Sequence, residues 1–328
     1  MTATSRFGGE DVAPIAVARR SGFDESIHHG AGVVVDADGA VLSAIGDPSL
    51  VVYLRSSLKA FQAEAMVRHG LDLPAHLLAL VTASHSGEPR HLDGVVELLS
   101  MHGLGVDDLA NTPTLPYGAE ARRAADRAGA EPRSLFQNCS GKHAGMLATC
   151  VVNGWPTEGY LSADHPVQEA IAATIADLGA PVRHVGVDGC GAPTHALALD
   201  ASARALGGLV RTASVVPTAM RAHPDQVGGT GRDVTEWMRL VPGLVAKDGA
   251  QGVMALALGE GEHRGRACVF KIADGSDEAR RAVVPAALEQ MGVDVEAARG
   301  RGDALRMHEV EVLGGGEPVG SIDALPWS

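Results

Sequence analysis

Lysine is scarce in this chain. Of the 27 lysines and arginines among 328 residues only four are lysines, Lys59, Lys142, Lys247 and Lys271, so arginine carries nearly all of the positive charge. Guanidinium stays protonated in proteins, whereas a buried ammonium can lose its proton. Each retained lysine is therefore a candidate for chemistry that arginine cannot perform. Basic runs are missing too, and a formal net charge of −13 repels phosphate backbones and anionic lipid. That argues against nucleic-acid and membrane partners and for a small-molecule one. No apolar run approaches the roughly 20 residues that span a bilayer. Met1–Arg20 lacks the apolar core of a signal peptide, so a cytoplasmic location is expected. Cysteine is limited to Cys139, Cys150, Cys190 and Cys268, too few and too dispersed for a disulfide scaffold. Reduced thiols, buried or metal-bound, are expected instead. Aromatics make up 3% of the residues, which leaves Val, Leu and Ala to fill the core at close spacing.

Hydrophobic residues are 45% of the chain, enough for one large domain or two closely joined ones. The stretch "GAGVVVDADGAVLSAIGD" reads as strand, Asp-Gly turn and strand, and "SLVVYLR" as a third strand, an antiparallel start running from Gly30 to about Arg55. The period then changes. Leu58, Phe61, Ala65 and Met66 fall at helical spacing, with Ser56 or Ser57 as cap and Gly70 as stop. Helical patterns continue through "PAHLLALVTA", "PRHLDGVVELLSMHG", "GAEARRAADRAG", "GKHAGMLATCVVNG" and "HPVQEAIAATIADLG". Strands return in "QGVMALALG" and "GRACVFKIA", joined by "EGEH" as a hairpin, and in "HEVEVLG"; a helix, "SDEARRAVVPAALEQMG", lies between them. The expected class is α+β: a mostly antiparallel sheet built from N- and C-terminal strands, with a large helical insertion at about 57–180, in a single domain over 1–328. Separate N- and C-terminal domains are the competing arrangement.

Candidate chemistry begins at "RSSLK". Ser56 and Lys59 are three apart, so on a helix the amine reaches the hydroxyl, and a serine at a helix start meets unpaired N–H groups. Lysine acts as a base only when desolvation or a second cation lowers its pKa. Lys271, in the late strand "VFKIADG", would supply that cation. The combination is similar to penicillin-recognising serine enzymes, yet Ser-Asp-Asn and Lys-Thr-Gly are both absent. The nearest string, Lys247-Asp248-Gly249, is expected to precede its strand. In "TASHSGEPRH", Ser84, His85 and Ser86 end an apolar helix; Ser84 reads either as a partner of a lysine amine or of substrate, or as part of a polar helix end. In "QNCSGKHAGM" a helix beginning at Ser140 or Gly141 puts Cys139 at its N-terminal edge, where a thiolate is stabilised. Lys142 and His143 lie one turn on, and Cys190 sits in the glycine-rich "GVDGCGAPTHAL". Two thiolates with one or two nitrogen donors suit a tetrahedral zinc, and histidine is ordinarily the better donor. Two inert buried thiols explain the same letters. Cys150 and Cys268 lie in apolar patterns and read as core.

Taken together, "RSSLKAFQA", "ASHSGEP", "QNCSGKHAGML", "HPVQ", "GVDGCGAPTHAL" and "KIADG" resemble the rhizobial-type asparaginase II family, in order and from about Arg20 to Gly315. The resemblance implies a β-lactamase/glutaminase-like fold, hydrolysis of L-asparagine to L-aspartate and ammonia, and a homodimer. It implies two Ser-Lys pairs, Ser56 with Lys59 and Ser84 with Lys271, with Ser84 preferred over Ser86 by its spacing to the cysteine motif. It implies a zinc cofactor on Cys139, Lys142, Cys190 and a water. Asp188 would lie beside the metal or meet the substrate's amino group, and Arg55 is similar to a family arginine next to the first serine. The expected mechanism has Ser56 attack the amide carbon after losing its proton to neutral Lys59, with Ser84 and Lys271 relaying protons. A penicillin-recognising or other serine amidohydrolase, and a zinc-dependent sensor of amino acids without turnover, are the alternatives.

Overall fold

The computed structural model describes residues 8–212, 214–300 and 310–327. The first seven residues of the leader reading, and His308 and Glu309 of the last expected strand, lie outside them. The elements follow in this order: strands β1 (Ala13–Arg20), β2 (Phe23–Val35), β3 (Val41–Ile45) and β4 (Val51–Tyr53); helices α1 (Lys59–Arg68), α2 (Ala75–Val81), α3 (Pro89–Met101), α4 (Ala119–Arg127), α5 (Ser140–Asn153) and α6 (Pro166–Asp177). Then come β5 (His184–Val187), β6 (Pro193–Ala198), α7 (Leu199–Arg211), α8 (Val215–Ala222), α9 (Pro224–Val227) and α10 (Asp233–Leu240). The chain finishes with β7 (Leu244–Gly249), β8 (Val253–Leu258), β9 (Ala267–Ile272), α11 (Asp277–Gln290), α12 (Val295–Arg299), β10 (Val310–Gly314) and β11 (Glu317–Ala324). This is the expected α+β class. Two compact units are formed, one from 1–57, 196–212 and 236–328, the other from 58–195 and 213–235.

The first unit is built on a sheet of order β10-β11-β1-β2-β9-β8-β7, with β3 also paired to β2, and its ladders are antiparallel. N- and C-terminal strands thus share one sheet. It starts earlier than Gly30, because β1 and the first half of β2 form a hairpin whose turn is Ser21 and Gly22, both at positive φ (49° and 81°), as a two-residue type I′ turn requires. Hydropathy hid this hairpin: residues Phe23–Ile27 of β2 are exposed, so no buried face marks them. β8 and β9 are buried along their whole length and read as continuous apolar runs. α7 packs on β2, β8 and β9, and α11 on β1, β11 and the same central strands.

The second unit is helical and centres on α5, whose residues from Ser140 to Cys150 are all buried. Small residues let α2 approach it. A Cβ on Gly141 would lie 2.4 Å from the Leu80 carbonyl oxygen, and one on Gly145 2.9 Å from both methyls of Val81. α1 is likewise buried from Lys59 through Met66. Its first residue is therefore an amine that must find partners inside the protein. Among the described residues no helix is long and apolar enough to cross a membrane.

One close contact in the sheet tests this packing. Gly32 of β2 faces Trp327 and Phe270, rings packed edge to face at 6.3 Å and 89°, and a Cβ there would lie 2.6 Å from the indole and 2.7 Å from Phe270 Cβ. Gly32→Ala should cost about 1–3 kcal/mol by overpacking, read as a lower urea midpoint with an unchanged slope; an unchanged midpoint would mean that the rings yield.

Candidate active site

In the first unit the chain leaves β4 through a 3₁₀ turn, Arg55–Leu58, that carries the Ser-Ser pair. Arg55 has φ +53°, a conformation that costs a non-glycine residue of order 1–3 kcal/mol and concentrates at functional sites. Ser56 is half-buried and Ser57 buried. The Ser57 hydroxyl donates to the Lys247 carbonyl oxygen at 3.0 Å. Lys247-Asp248-Gly249 does not precede its strand, as the sequence suggested, but lies within β7. A Cβ on Gly249 would come within 2.5 Å of the Leu54 carbonyl oxygen and 2.8 Å of Ser57 Oγ, so the end of β7 runs directly along the serine turn. Lys247 is buried and ion-paired with Asp248. Sequence reasoning set it aside because the string was expected to precede its strand.

Lys271 lies in β9, opposite Ala31 of β2 and Val253 of β8. Its amine donates to the carbonyl oxygens of Gln251 and Ile272, each at 2.5 Å. Burial lowers its pKa to about 8, with Asp274 opposing and Arg55 assisting. Asp274 in turn bonds His28 Nδ1 at 2.6 Å.

In the second unit Lys59 is 1% exposed. Its amine donates to the Ala83 carbonyl oxygen, to Ser84 Oγ at 3.3 Å and to Cys139 Sγ at 3.1 Å. Three hydrogen-bond partners thus surround this amine. The backbone of Ser84 is held from two sides, its N–H donating to the Val227 carbonyl oxygen at 3.0 Å and its own carbonyl oxygen accepting from Arg232 Nη1 at 3.1 Å. The guanidinium of Arg232 lies over the Tyr117 ring, 4.8 Å from its centroid. Ser86 is used differently: its hydroxyl and its N–H both donate to the Gly228 carbonyl oxygen, at 3.0 and 2.9 Å.

Cys139 stands just before α5, and Cys190 in the turn between β5 and β6, which the Asp188 N–H closes on the Ala192 carbonyl oxygen at 2.9 Å. The two thiols form one buried cluster with Ala192. Lys142 donates to Cys190 Sγ at 3.2 Å. The hydrogen bond from Cys190, together with the charges of Lys59 and Lys142, holds the Cys139 thiol well below its usual range against the opposing effect of burial. The hydrogen bond with Cys139, then burial, pushes Cys190 up. The two sulfurs lie between the Lys59 and Lys142 amines. Burial opposes the charge on Lys142, but Cys190, Cys139 and Asp188 carry its pKa above the ordinary lysine range. His143, the other nitrogen in the motif, is engaged with the Tyr160 hydroxyl at 2.9 Å and is kept neutral by burial. Burial alone pushes up Cys268 and, as the main cause, raises Cys150 to about 11, the behaviour of inert core thiols. Among the described residues no group of three or more His, Cys, Asp or Glu side chains is arranged to hold a metal. The third donor beside the thiols is a lysine.

The contact that sequence spacing missed is the one from Lys59 to Cys139. It joins two motifs 80 positions apart, and nothing local in either string signals it. Arg232 and Tyr160 were missed for the same reason. Since Cys139 owes its ionisation first to Cys190, Cys190→Ala should raise the Cys139 pKa in metal-free protein, moving the ultraviolet thiolate absorbance to higher pH. An unmoved titration would assign the effect to the lysines alone.

Against known proteins, a family model described as L-asparaginase II matches residues 16–324. No curated protein matches the chain. Two crystal structures described as Mglu, one in its glutamate form, share 15% identity with it over 84% and 85% of this chain and 69% and 61% of theirs. Their TM-scores, 0.34 and 0.32, are too low to bear on fold or function. The family match spans nearly the whole chain, and the protein belongs to the L-asparaginase II family as an asparaginase-type amidohydrolase.

Proposed function

We propose that the chain converts L-asparagine and water to L-aspartate and ammonia through a serine activated by a buried lysine amine. The observation that carries this reading is the 3.3 Å contact between Lys59 Nζ and Ser84 Oγ, both groups buried. Neutral Lys59 takes the hydroxyl proton as the serine oxygen attacks the side-chain amide carbon. The resulting ammonium returns a proton to the leaving nitrogen, ammonia departs, and an ester to the enzyme remains. Water then attacks the ester, a lysine amine takes its proton, and aspartate leaves as the serine is regenerated. Backbone N–H groups at a helix start stabilise the oxyanion.

The Lys59 contact favours Ser84 as nucleophile. The second reading keeps Ser56 in that role, supported by the strained Arg55 beside it and by the position of Lys59 three residues on. Lys271 is the proposed amine for the water step, supported by a pKa of about 8. Lys247 is its rival, supported by the strand that runs along the serine turn. Arg55 and Asp188 are the charges proposed to receive the carboxylate and the amino group of the substrate. The chain is further proposed to act as a homodimer, following the family resemblance.

Zinc is the proposed cofactor. The donor set fits it: two adjacent thiols, one with its pKa lowered, and the Lys142 amine 3.2 Å from Cys190 Sγ. Cys139, Cys190 and Lys142 would hold the ion and leave one position for water or substrate. Lys142 must shed its proton to ligate. When bound, the ion supplies positive charge that orients the polar end of the substrate.

Ammonia release from asparagine tests the reading. Lys59→Arg should remain folded yet lose about 100-fold or more of turnover, the scale of a general base; near-normal turnover would remove Lys59 from the mechanism. Ser84→Ala and Ser56→Ala, compared for loss of a trapped acyl-enzyme by mass, separate the two nucleophiles. The pH profile tests the second amine. A base must be neutral, so kcat/KM should climb with pH and level off above about 8. Lys271→Arg should abolish that limb. If the limb survives in Lys271→Arg and is lost in Lys247→Arg, Lys247 is the base.

A further inference from the structure

His85 follows Ser84 and belongs to neither the Ser-Lys nor the thiol motif, yet it touches the chain beside both. Its side chain is completely buried. Its Nε2 is hydrogen-bonded to Ser140 Oγ at 2.8 Å, and its backbone N–H donates to the Asn138 carbonyl oxygen at 3.1 Å. Asn138 and Ser140 flank Cys139. One residue therefore ties the strand of chain holding Ser84 to the strand of chain holding Cys139, on both sides of the sulfur. Lys59 spans the same gap, with one bond to Ser84 Oγ and one to Cys139 Sγ. The width of that gap decides whether a single amine can reach both atoms.

The ring is held for such a task. It stacks on His91, centroids 5.1 Å apart and planes at 20°. His91 is itself fixed, accepting from the Glu88 N–H at 3.1 Å through Nδ1 and bonding the Asp225 carbonyl oxygen at 2.8 Å through Nε2. Burial, then the charges of His91, Lys59 and Arg232, keep His85 neutral. A neutral imidazole can bond Ser140 without adding a positive charge beside the Lys59 and Lys142 amines. Its Nδ1 has no hydrogen-bond partner among the described residues.

We propose that His85 is a positioning residue which, through Ser140, sets the separation of Ser84 and Cys139 and so keeps the serine–lysine pair and the thiol pair in register. The proposal rests on the reading of those two pairs given above. His85→Phe keeps the bulk and the stack and removes only the side-chain bond; Ser140→Ala removes the same bond from the other end. Each should lower kcat for asparagine by about 10- to 100-fold with KM little changed, as misplacement of a reacting group does. Each should also weaken zinc binding to the metal-free protein by about 10-fold or more, the usual effect of losing a group that orients a ligand, measured by competition with a chromogenic chelator. The double variant should be no worse than either single one, because one bond is lost in all three. A merely structural role would lower the melting temperature and leave kcat and zinc affinity where they were. Unchanged kcat and zinc affinity in both single variants, in an enzyme that Lys59→Arg inactivates, would overturn the inference while leaving the Ser-Lys reading standing. Should His85→Phe fail to fold, Ser140→Ala decides alone.

Discussion

A buried amine governs this protein's candidate site. Lys59 is out of water at the first position of α1, and a polar group there is tolerable only if it finds hydrogen-bond partners inside the protein. The acceptors come from separate parts of the chain: the Ala83 carbonyl oxygen and the Ser84 hydroxyl after α2, and the Cys139 sulfur before α5. Satisfying one amine therefore fixes three segments against one another. The same rule applies to the other lysines, all of them buried: Lys142 against Cys190, Lys247 against Asp248, Lys271 against two carbonyl oxygens. The four amines are all inside the protein, and surface solubility is left to arginine and the acidic residues.

The helical unit is shaped to bring those segments together. Gly141 and Gly145 on α5 lie so close to α2 that no side chain fits, and this contact draws the Ser84 loop, which follows α2, to the first turn of α5. The sulfur of Cys139 then meets Lys59, and its partner Cys190 arrives on the tight β5–β6 turn with Lys142 opposite. Two amines and two sulfurs thus share one dry environment.

Several readings from sequence held because they depended on local rules. The period change after Arg55, the apolar runs of β8 and β9 and the helical spacing of α5 all survive in the structure. Others failed for physical reasons that can be named. Exposed polar residues in the first half of β2 gave no alternation, so its hairpin with β1 was invisible. Lys247-Asp248-Gly249 was expected before its strand, whereas it forms the second half of β7. Spacing three apart pointed from Lys59 to Ser56 and carried no sign of the hydrogen bonds that its amine makes to residues 24 to 80 positions away.

By itself, the amino-acid order determined which groups were available: four lysines able to lose a proton, four reduced thiols, serines at helix boundaries, and the period of each element. Those are properties of side chains and of short-range backbone geometry, and they need no knowledge of distant residues. Which amine meets which hydroxyl or sulfur was decided only by tertiary structure. Choosing Lys142 over His143 as the neighbour of Cys190, or Ser84 over Ser86 as the neighbour of Lys59, turns on how closely two helices approach and on where buried charge finds acceptors. Both depend on packing across long stretches of chain.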